Sequence, residues 1–386
     1  MLVWVPSLCI FLAALITALI ATPLASFIAV KLRAIDYPSA RRMNKKPIPR
    51  MGGIAIFLAF CVAALMHLLG TYYFHWPSVF IDSGTMSVNY YVLALAFAVI
   101  FFVGFIDDIF SLKPLPKFIG QIIAASIAAA SGLVISNVMS PAGGEIAFGV
   151  LSYPITVVYL VAFANIINLL DGLDGLASGV TCISSLTMFI LAFNANRLDA
   201  ALVAIVLVGA TLGFLRYNFH PALIFLGDSG SLLLGFALGS ISLLSVTRVA
   251  GITTIMLPLV LAGIPIMDTF MAIVRRRRGH VSVGSADRGH IHHRLLQQGF
   301  NQRQAVVLIY IWTAVLCASA LMMSLVPIMP RIAIFVSLLV FSALFVYKLK
   351  LYEPVLKHRQ KHLTPQEKIH DRQGRVVRGH HSARRS

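Results

Sequence analysis

The chain has 386 residues, of which 59% are hydrophobic and only 12% are charged. A soluble protein of this size cannot bury that much apolar surface, because a large part of any protein surface faces water. The composition therefore excludes a soluble enzyme, a disordered protein and a nucleic-acid-binding domain, and the net charge of +17 is instead typical of the loops of a membrane protein. The four cysteines all lie in apolar runs without CxxC spacing, a pattern that supports neither a disulfide framework nor a zinc site.

Apolar runs long enough to cross a bilayer recur along the chain. A hydrocarbon core of ~30 Å needs about 20 such residues per helix, and the backbone inside it must form its own hydrogen bonds. The predicted fold class is therefore all-α, a polytopic integral membrane protein with about 11 transmembrane helices. In chain order the runs cover residues 3–30, 52–70, 89–106, 118–137, 150–168, 176–193, 200–216, 231–247, 251–271, 304–326 and 331–348.

The Lys and Arg residues are distributed very unevenly between the loops on the two sides. Of the 31, only Arg197, Arg248 and Arg331 lie on one side, and the other 28 lie in the opposite loops and the C-terminal tail. Because cytoplasmic loops carry the excess of Lys and Arg, we expect the N-terminus outside and the C-terminus in the cytoplasm. The predicted organisation is a transmembrane helical domain over residues 1–352, with its site on the cytoplasmic face, followed by a basic cytoplasmic tail over 353–386.

The acidic residues are few, and the predicted topology gathers several of them on one side. Carboxylates near a membrane are costly and usually mark a function. We therefore expect the cytoplasmic ones to converge into one acidic site, which suits a hard divalent cation; Mg²⁺ usually binds together with a substrate phosphate. The acids at cytoplasmic helix ends or in short cytoplasmic loops are Asp107, Asp108, Asp171, Asp174, Asp228 and Asp268.

Two motifs hold most of these acids. Asp107 and Asp108 end the third span, and because adjacent helical residues point about 100° apart, the pair is expected to divide its roles. The sequence NLLDGLDG begins at Asn168 and contains Asp171 and Asp174, which would be neighbours on a helix. Its glycines allow the backbone to approach a ligand closely. A capped turn between two spans would not need this combination, so the motif favours a binding site.

A third motif precedes the eighth span. The sequence RYNFHPALIFLGDSGS contains Asn218 and Asp228 and leads directly into the next helix. The start of a helix presents free N–H groups and the positive end of its dipole, which attract phosphate. We therefore expect phosphate at this helix start and a metal ion that joins it to Asp228.

A cluster of histidine and arginine follows a run of four arginines. The sequence RGHIHHR contains His290, His292, His293 and Arg294. Zinc is a weak interpretation, because the cluster has no Cys and no further ligand at the usual spacing. Hydrogen-bond donors to a nucleotide diphosphate are the favoured interpretation.

Together these motifs, in this order, resemble the polyprenyl-phosphate N-acetylhexosamine-1-phosphate transferases. The form HIHH favours the WecA/TagO-like branch, the undecaprenyl-phosphate GlcNAc-1-phosphate transferases, over the related muramoyl-pentapeptide transferases. The resemblance runs from about residue 31 to residue 303. The motifs are PIPRMGG (47–53), Asp107-Asp108, NLLDGLDG (168–175), RYNFHPALIFLGDSGS (216–231), PIMDT (265–269) and RGHIHHRL (288–295).

The resemblance implies an activity, a cofactor and a location. The implied reaction moves an N-acetylhexosamine 1-phosphate, in this branch GlcNAc 1-phosphate, from a UDP-sugar to undecaprenyl phosphate and releases UMP. It is the first membrane step of a bacterial cell-surface glycan, it requires Mg²⁺ or Mn²⁺ in its place, and it occurs in the bacterial cytoplasmic membrane. The implied partners are the UDP-sugar, the lipid phosphate and the bilayer, without nucleic acid; the oligomeric state, a homodimer included, stays open.

The resemblance also implies roles for individual residues. Catalysis falls to Asp107 and Asp108, and the metal to Asp228 and Asn168. The residues implied in substrate binding are Asp171, Asp174, Asn218, Lys117, Arg50, His290, His292, His293 and Arg294.

Alternatives stay open at this level. Direct in-line displacement is favoured because the lipid phosphate, with a second pKa near ~6, is already largely dianionic, but a two-step route through an aspartyl-phosphate at Asp107 is also chemically allowed. An ion- or proton-coupled transporter would use the same acids as a relay, with the acids near span centres. A CDP-alcohol phosphotransferase would show Ala-Arg soon after its first Asp-Gly, and none follows Asp171-Gly172.

Overall fold

The computed structural model describes residues 4–38, 46–77, 88–139, 145–246, 263–278 and 291–348. Helices account for nearly all of these residues. The helices are α1 (Trp4–Lys31), α2 (Gly53–Phe74), α3 (Tyr90–Phe110), α4 (Pro114–Ala130), α5 (Ser152–Leu170), α6 (Leu176–Asn194), α7 (Leu198–Asn218), α8 (Gly227–Val246), α9 (Gly263–Arg278), α10 (Ile291–Gln297), α11 (Gln302–Leu325) and α12 (Ile328–Lys348).

Two short antiparallel hairpins interrupt the helices. Strand β1 (Ile35–Asp36) pairs with β2 (Ile48–Pro49), and β3 (Asn137–Met139) pairs with β4 (Glu145–Ala147). The sequence did not predict them, because strands of two or three residues are too short to show an alternating pattern.

The membrane character that the composition predicts is confirmed. Within the described ranges, 8 helices are long and apolar enough to cross a membrane, and two shorter apolar helices accompany them. The chain is an all-helical polytopic membrane protein. Residues 251–262 of the predicted ninth run and the tail over 353–386 lie outside the described residues.

The fourth run, predicted over 118–137, is wrong at both ends. Helix α4 begins earlier, at Pro114, because the fixed φ of proline suits the first turn of a helix. It ends at Ala130, since the Ser131 hydroxyl donates to the Ala128 carbonyl and Gly132 then adopts a φ of 95°. With 17 residues it is one of the two shorter apolar helices.

The chain divides into two compact units. The first comprises Met1–Ile266 and Asn301–Leu338, and the second comprises Met267–Phe300 and Leu339–Ser386. Helix α8 forms the centre of the first unit, where it packs against α2, α3, α5, α6 and α7. Small side chains, glycine, alanine and serine, let these helices approach α8 closely, as is usual between membrane helices. The start of α8 is therefore a fixed point around which other helix ends are arranged.

Candidate active site

Asp108 holds the first turn of α8. Its Oδ1 accepts a hydrogen bond from the backbone N–H of Asp228 (2.8 Å), and its Oδ2 accepts from the backbone N–H (3.1 Å) and the hydroxyl (2.6 Å) of Ser229. The side chain of Asp108 is fully buried. A carboxylate at a helix N-terminus compensates both the free N–H groups and the positive end of the dipole. Asp108 thus binds two of the N–H groups at the helix start where the sequence predicts a phosphate, and the predicted phosphate contact stays a prediction.

Gly227 makes this close approach possible. Its φ is +73°, a conformation that residues with a side chain rarely adopt. A Cβ atom at this position would lie 2.6 Å from Asp108 Oδ2, inside van der Waals contact. The glycine before Asp228 in the motif is thus required by the geometry of the carboxylate that reaches it from α3.

Asp107, the neighbour of Asp108, faces a different set of partners. Its Oδ1 accepts from the backbone N–H of Leu112 (2.6 Å), and its Oδ2 lies 2.9 Å from the ammonium of Lys117. The same ammonium donates to Asp228 Oδ1 (2.6 Å). The two adjacent acids at the end of α3 thus bind different partners, as the helical spacing predicts. Lys117 bridges Asp107 and Asp228.

Asn168, at the end of α5, also binds Asp228. Its Nδ2 donates to Asp228 Oδ1 and to the hydroxyl of Ser231 (2.8 Å). The amide thereby ties the last turn of α5 to the first turn of α8. The two residues that the family resemblance assigns to a metal, Asn168 and Asp228, lie in direct contact.

Asp171 and Asp174 lie in the turn that joins α5 to α6, not on a helix. Asp174 Oδ2 lies 2.7 Å from Nδ1 of His220 and accepts from the backbone N–H of Ala222 (3.1 Å). This carboxylate therefore fixes the loop between α7 and α8. Because α7 ends just before His220, the loop is held at both its ends, by Asp174 here and by Asp108 at the start of α8.

The Asp171 carboxyl lies among other acids. Burial raises its pKa, and the negative charges of Asp228, Asp108 and Asp174 raise it further, to about 8. The carboxyl is therefore protonated at neutral pH unless a cation offsets the neighbouring charges.

Asn218, the last residue of α7, is buried where the chain enters the same loop. Its Oδ1 accepts from the hydroxyl of Ser178 (2.6 Å), and its Nδ2 donates to the carbonyl of Ile224 (3.0 Å). The side chain is 2% exposed. These contacts give Asn218 a role in holding the loop; its predicted contact with phosphate stays a prediction.

Arg50 brings a positive charge to the same end of the helices. It forms an isolated parallel bridge with Phe225, in which the backbone N–H of Phe225 donates to the carbonyl of Pro49 (2.9 Å). Its Nη2 donates to the carbonyl of Asp108 (3.0 Å) and to the hydroxyl of Ser111 (3.1 Å). The motif PIPRMGG, which alone indicates only a helix entrance, is thus paired with the motif that contains Asp228.

The sixth predicted acid, Asp268, belongs to the second unit. It is 2% exposed, and its Oδ1 accepts from the backbone N–H of Ile291 (2.8 Å), the first residue of α10. Asp268 therefore anchors the short helix that contains part of the His and Arg cluster.

The described part of this cluster lies on α10. Arg294 is 1% exposed and His293 is partly buried. His290 lies outside the described residues, and so does the side chain of His292. The predicted role of the cluster in UDP-sugar binding stays a prediction.

The acids of the first unit do not form a finished metal cage. Among the described residues, no three side chains of His, Cys, Asp or Glu are placed to hold a metal ion by themselves. The reason is visible in the contacts: Lys117 lies between Asp107 and Asp228, and Asp108 faces the α8 backbone. A divalent cation bound by these described side chains would complete its ligands with water or with substrate oxygens.

Comparison with known proteins gives the family. The model of glycosyl transferase family 4 matches residues 90–246, the segment from α3 to α8. The chain is 34% identical over 332 residues to the probable undecaprenyl-phosphate N-acetylglucosaminyl 1-phosphate transferase of Bacillus subtilis, which covers 86% of this chain and 88% of the relative. The chain belongs to glycosyl transferase family 4. The resemblance that the motifs indicate is confirmed, and the protein is a transferase of this family.

Two further relatives show the range of this similarity. The decaprenyl-phosphate N-acetylglucosaminephosphotransferase of Mycolicibacterium smegmatis is 35% identical over 338 residues, with 80% of each chain covered. A phospho-N-acetylmuramoyl-pentapeptide-transferase of Clostridium beijerinckii is 30% identical over 288 residues, which cover 71% of this chain and 82% of the relative.

Some residues of this family 4 site were missed from the sequence. His220 was quoted only as part of a motif, yet it contacts Asp174, and the sequence signal was its place two residues after Asn218. Ser178 gave no signal, because a serine inside an apolar run is common in membrane helices. Its contact with Asn218 is visible only in the fold.

Proposed function

We propose that the protein transfers N-acetylglucosamine 1-phosphate from UDP-N-acetylglucosamine to undecaprenyl phosphate and releases UMP. The product, a polyprenyl-diphospho-sugar, begins a bacterial cell-surface glycan. The names of the relatives from Bacillus subtilis and Mycolicibacterium smegmatis support both the N-acetylglucosamine donor and the polyprenyl acceptor.

One observation carries this proposal: carboxylates from several helix ends gather at a single end of an apolar helical unit. A soluble nucleotide sugar and a lipid phosphate can meet only at such an interface. A relay across the bilayer, as in the alternative transporter, would need acids near the middle of the spans. Here Asp107 lies in the last turn of α3 and Asp228 in the first turn of α8.

Mg²⁺ is the proposed cofactor, with Mn²⁺ able to replace it. The oxygen atoms of carboxylates and an amide fit a hard divalent cation, and proteins commonly bind Mg²⁺ through one or two carboxylates together with substrate phosphates. Asp228 and Asn168 are the proposed ligands. When bound, the cation offsets the negative charge of the diphosphate.

Arg50 and Lys117 are the proposed phosphate-binding cations. The guanidinium of Arg50 donates to a carbonyl and a hydroxyl, not to a carboxylate, so its charge is available to an anion. Lys117 contacts two acids and can neutralise only one of their charges. Both side chains lie next to Asp108 and Asp107, where the two substrates would bring further negative charge.

The proposed reaction is a direct displacement. An oxygen of the lipid phosphate attacks the sugar-bearing phosphorus of the donor, and the bond from this phosphorus to the bridging oxygen breaks, so that UMP leaves with that oxygen. The acceptor is largely dianionic near pH 7, since its second pKa is ~6, and it needs little activation by a base. Alignment of two anions is the main task of the protein residues.

The predicted catalytic acids take different parts in this reaction. Asp107 orients Lys117 and the acceptor phosphate, whereas Asp108 keeps the first turn of α8, and with it Asp228, in position. Asp171 and Asp174 line the nucleotide side of the site. His290, His292, His293 and Arg294 bind the UDP-sugar.

The proposed topology has eleven spans in the bacterial cytoplasmic membrane, with the N-terminus outside and the tail over 353–386 in the cytoplasm. The distribution of Lys and Arg supports this orientation. The test is to introduce a cysteine into the tail and to treat intact cells with a thiol reagent that cannot cross the membrane. Labelling of that cysteine from outside contradicts the orientation.

Release of UMP tests the proposed function. Purified protein is mixed with undecaprenyl phosphate and each of several UDP-sugars, and UMP and the lipid product are measured. UDP-N-acetylglucosamine should be the preferred donor, and turnover should require Mg²⁺ or Mn²⁺. A zinc-selective chelator should leave turnover intact; its loss would point instead to a zinc site in the histidine cluster.

A further inference from the structure

Helix α11 contacts the turn that holds Asp171 and Asp174. The hydroxyl of Tyr310 donates a hydrogen bond of 2.5 Å to the carbonyl of Gly175. Gly175 directly follows Asp174 and is the N-cap residue of α6, without any side chain to cap that helix. A side chain from a helix more than 100 positions later in the chain therefore fixes the end of the acidic turn.

The ring of Tyr310 fits closely between two glycines. A Cβ atom on Gly179 would lie 2.0 Å from the hydroxyl oxygen and 2.1 Å from Cζ of the ring, so only glycine leaves room for the ring here. Gly175 has a φ of +77°, and a Cβ atom there would lie 3.2 Å from the same hydroxyl. The first turn of α6 is thus shaped to receive this tyrosine.

Arg303 on α11 contacts the loop after α7, the second chain segment that binds the Asp174 carboxylate. Arg303 precedes Tyr310 by seven residues, two helical turns, and so lies on the same face of the helix. Its guanidinium lies 5.8 Å from the centre of the Phe219 ring. Phe219 lies against Gly175 and directly precedes His220, the partner of Asp174. Helix α11 therefore contacts both chain segments that meet at this carboxylate.

Among the described residues, the acidic turn also forms long-range hydrogen bonds through the Asp174 carboxylate, with His220 and Ala222. Its own backbone hydrogen bonds are local: the N–H of Gly172 donates to the carbonyl of Leu170, and the N–H of Leu176 donates to that of Leu173. Local bonds set the shape of a turn but not its distance from the rest of the site. The hydroxyl of Tyr310 is a further long-range contact, and it fixes the backbone at the end of the turn, whereas the contacts of Asp174 fix only its side chain.

We propose that Tyr310 is a positioning residue for the donor half of the reaction: its hydroxyl holds the Asp171–Gly175 turn at the distance from Asp228 that a nucleotide diphosphate requires. The assignment of Asp171 and Asp174 to the nucleotide side rests on the proposed function. Tyr310 acts through the turn and not on the substrate. Small displacements of groups that orient a substrate have large effects on rate, so the loss of one hydrogen bond should be measurable.

Tyr310→Phe tests the proposal, because it removes the hydroxyl and keeps the ring between the two glycines. We expect kcat/KM for UDP-N-acetylglucosamine to fall about fivefold to tenfold, in line with the loss of one partly buried hydrogen bond. The KM for undecaprenyl phosphate should stay unchanged. Hydrogen–deuterium exchange of peptides over residues 171–180 should become faster.

Thr313→Val is the matched control. Thr313 is a buried residue one turn further along α11, and its hydroxyl donates to the carbonyl of Ile309 in its own helix (2.8 Å). The substitution also removes one hydroxyl, but it leaves the turn untouched. It should change neither the donor kinetics nor the exchange of residues 171–180.

Two results overturn the proposal. The first is that hydrogen–deuterium exchange over residues 171–180 is the same in Tyr310→Phe as in wild type. The second is that exchange becomes faster, but the kinetics for the two substrates either stay at wild-type values or change to the same extent. A wild-type protein that releases no UMP from any UDP-sugar refutes the proposed function instead, and the exchange experiment still decides whether Tyr310 holds the turn.

Discussion

Buried carboxylates are neutralised to different extents at the two ends of helices α3 and α7. At the start of these helices, Asp199 forms a two-point ion pair with Arg197 (3.1 and 2.8 Å) and accepts from the hydroxyl of Tyr90 (2.9 Å). One acid meets one base, and each is less than 10% exposed. A buried acid that is fully neutralised in this way belongs to the scaffold.

At the other end, the acids outnumber the bases that pair with them. The ion pairs of the described residues there come from Lys117, shared by Asp107 and Asp228, and Asp174 has a hydrogen bond with the imidazole of His220. Asp108 is held by N–H and hydroxyl groups, which carry no full charge. A surplus of buried negative charge is unfavourable unless a cation arrives. The comparison teaches that a carboxylate marks a working site when its charge is left without a matching base.

The largest expected loss of turnover follows substitution of Asp228, whereas substitution of Asp199 should leave turnover nearly unchanged. Asp228→Asn keeps the size of the side chain but removes the charge proposed to bind the cation, and turnover should fall about 100- to 1,000-fold at ordinary Mg²⁺. Part of the rate should return at higher Mg²⁺. The measurement is UMP release as a function of the Mg²⁺ concentration.

Asp199→Asn is the matched control at the opposite end. It leaves Arg197 buried without its carboxylate, which should cost about 3 kcal/mol of stability. The midpoint of thermal unfolding in detergent should fall, and turnover per folded molecule should stay within about twofold of wild type, in the range of a distant, independent site. The comparison fails if Asp199→Asn abolishes turnover in protein that is still folded.

Asp107→Asn should have a smaller effect, because in the proposed direct displacement Asp107 only orients the acceptor and forms no covalent bond with the phosphorus of the donor. The expected loss is about 100-fold, the size of an orienting or proton-transfer contribution. The residual rate should rise with pH as the lipid phosphate becomes dianionic around its second pKa of ~6. Complete loss of turnover, together with a labelled phospho-enzyme from the donor, would establish the two-step route instead.

Lys117→Met should separate cation binding from catalysis. The ammonium lies between Asp107 and Asp228 and competes with any cation for Asp228. Its removal should strengthen Mn²⁺ binding about tenfold. An opposite charge within hydrogen-bond distance commonly changes the affinity of a carboxylate for a proton by about tenfold or more, and a similar effect is expected for a cation. Turnover should nevertheless fall. Weaker Mn²⁺ binding in Lys117→Met would show that the lysine helps to build the cation site.

The smallest effect is a pH dependence that arises from Asp171. Its pKa is raised from 3.8 to about 8, so the folded, cation-free protein binds one more proton than the unfolded chain between these values. Stability of the cation-free protein should therefore fall as pH rises through this window. Because a cation favours the carboxylate, Mn²⁺ affinity should rise by up to about tenfold per pH unit below pH 8 and level off above it. Asp171→Asn should flatten both curves, and unchanged curves would remove Asp171 from the site.

The helices and the acidic site were predictable from different features of the sequence. Apolar runs gave most spans, because a bilayer demands a minimum length of apolar helix. They failed for α4, where Pro114 and Gly132 set the ends more strongly than hydrophobicity does. The acids stood out because so few acidic residues occur in a chain of this composition.

Roles within the site were not predictable, because they depend on contacts between distant segments. Asp108 appears in the sequence as half of an acidic pair, yet it binds the backbone of Asp228, 120 positions later. Arg50 lies in a motif that indicates only a helix entrance, and its pairing with Phe225 appears only in the fold. Tyr310 lies outside every motif, in an apolar run where a tyrosine gives no signal.

Mn²⁺ binding measured by electron paramagnetic resonance tests the central claim most directly, because it reports the cation site without turnover. Wild-type protein and Asp199→Asn should bind Mn²⁺ saturably with equal affinity, and UDP-N-acetylglucosamine should tighten the binding. Asp228→Asn should weaken it at least about tenfold, the effect of removing one charged ligand. Binding that is absent from wild type, or that Asp228→Asn leaves unchanged, would contradict the claim that the acids at this end hold a divalent cation.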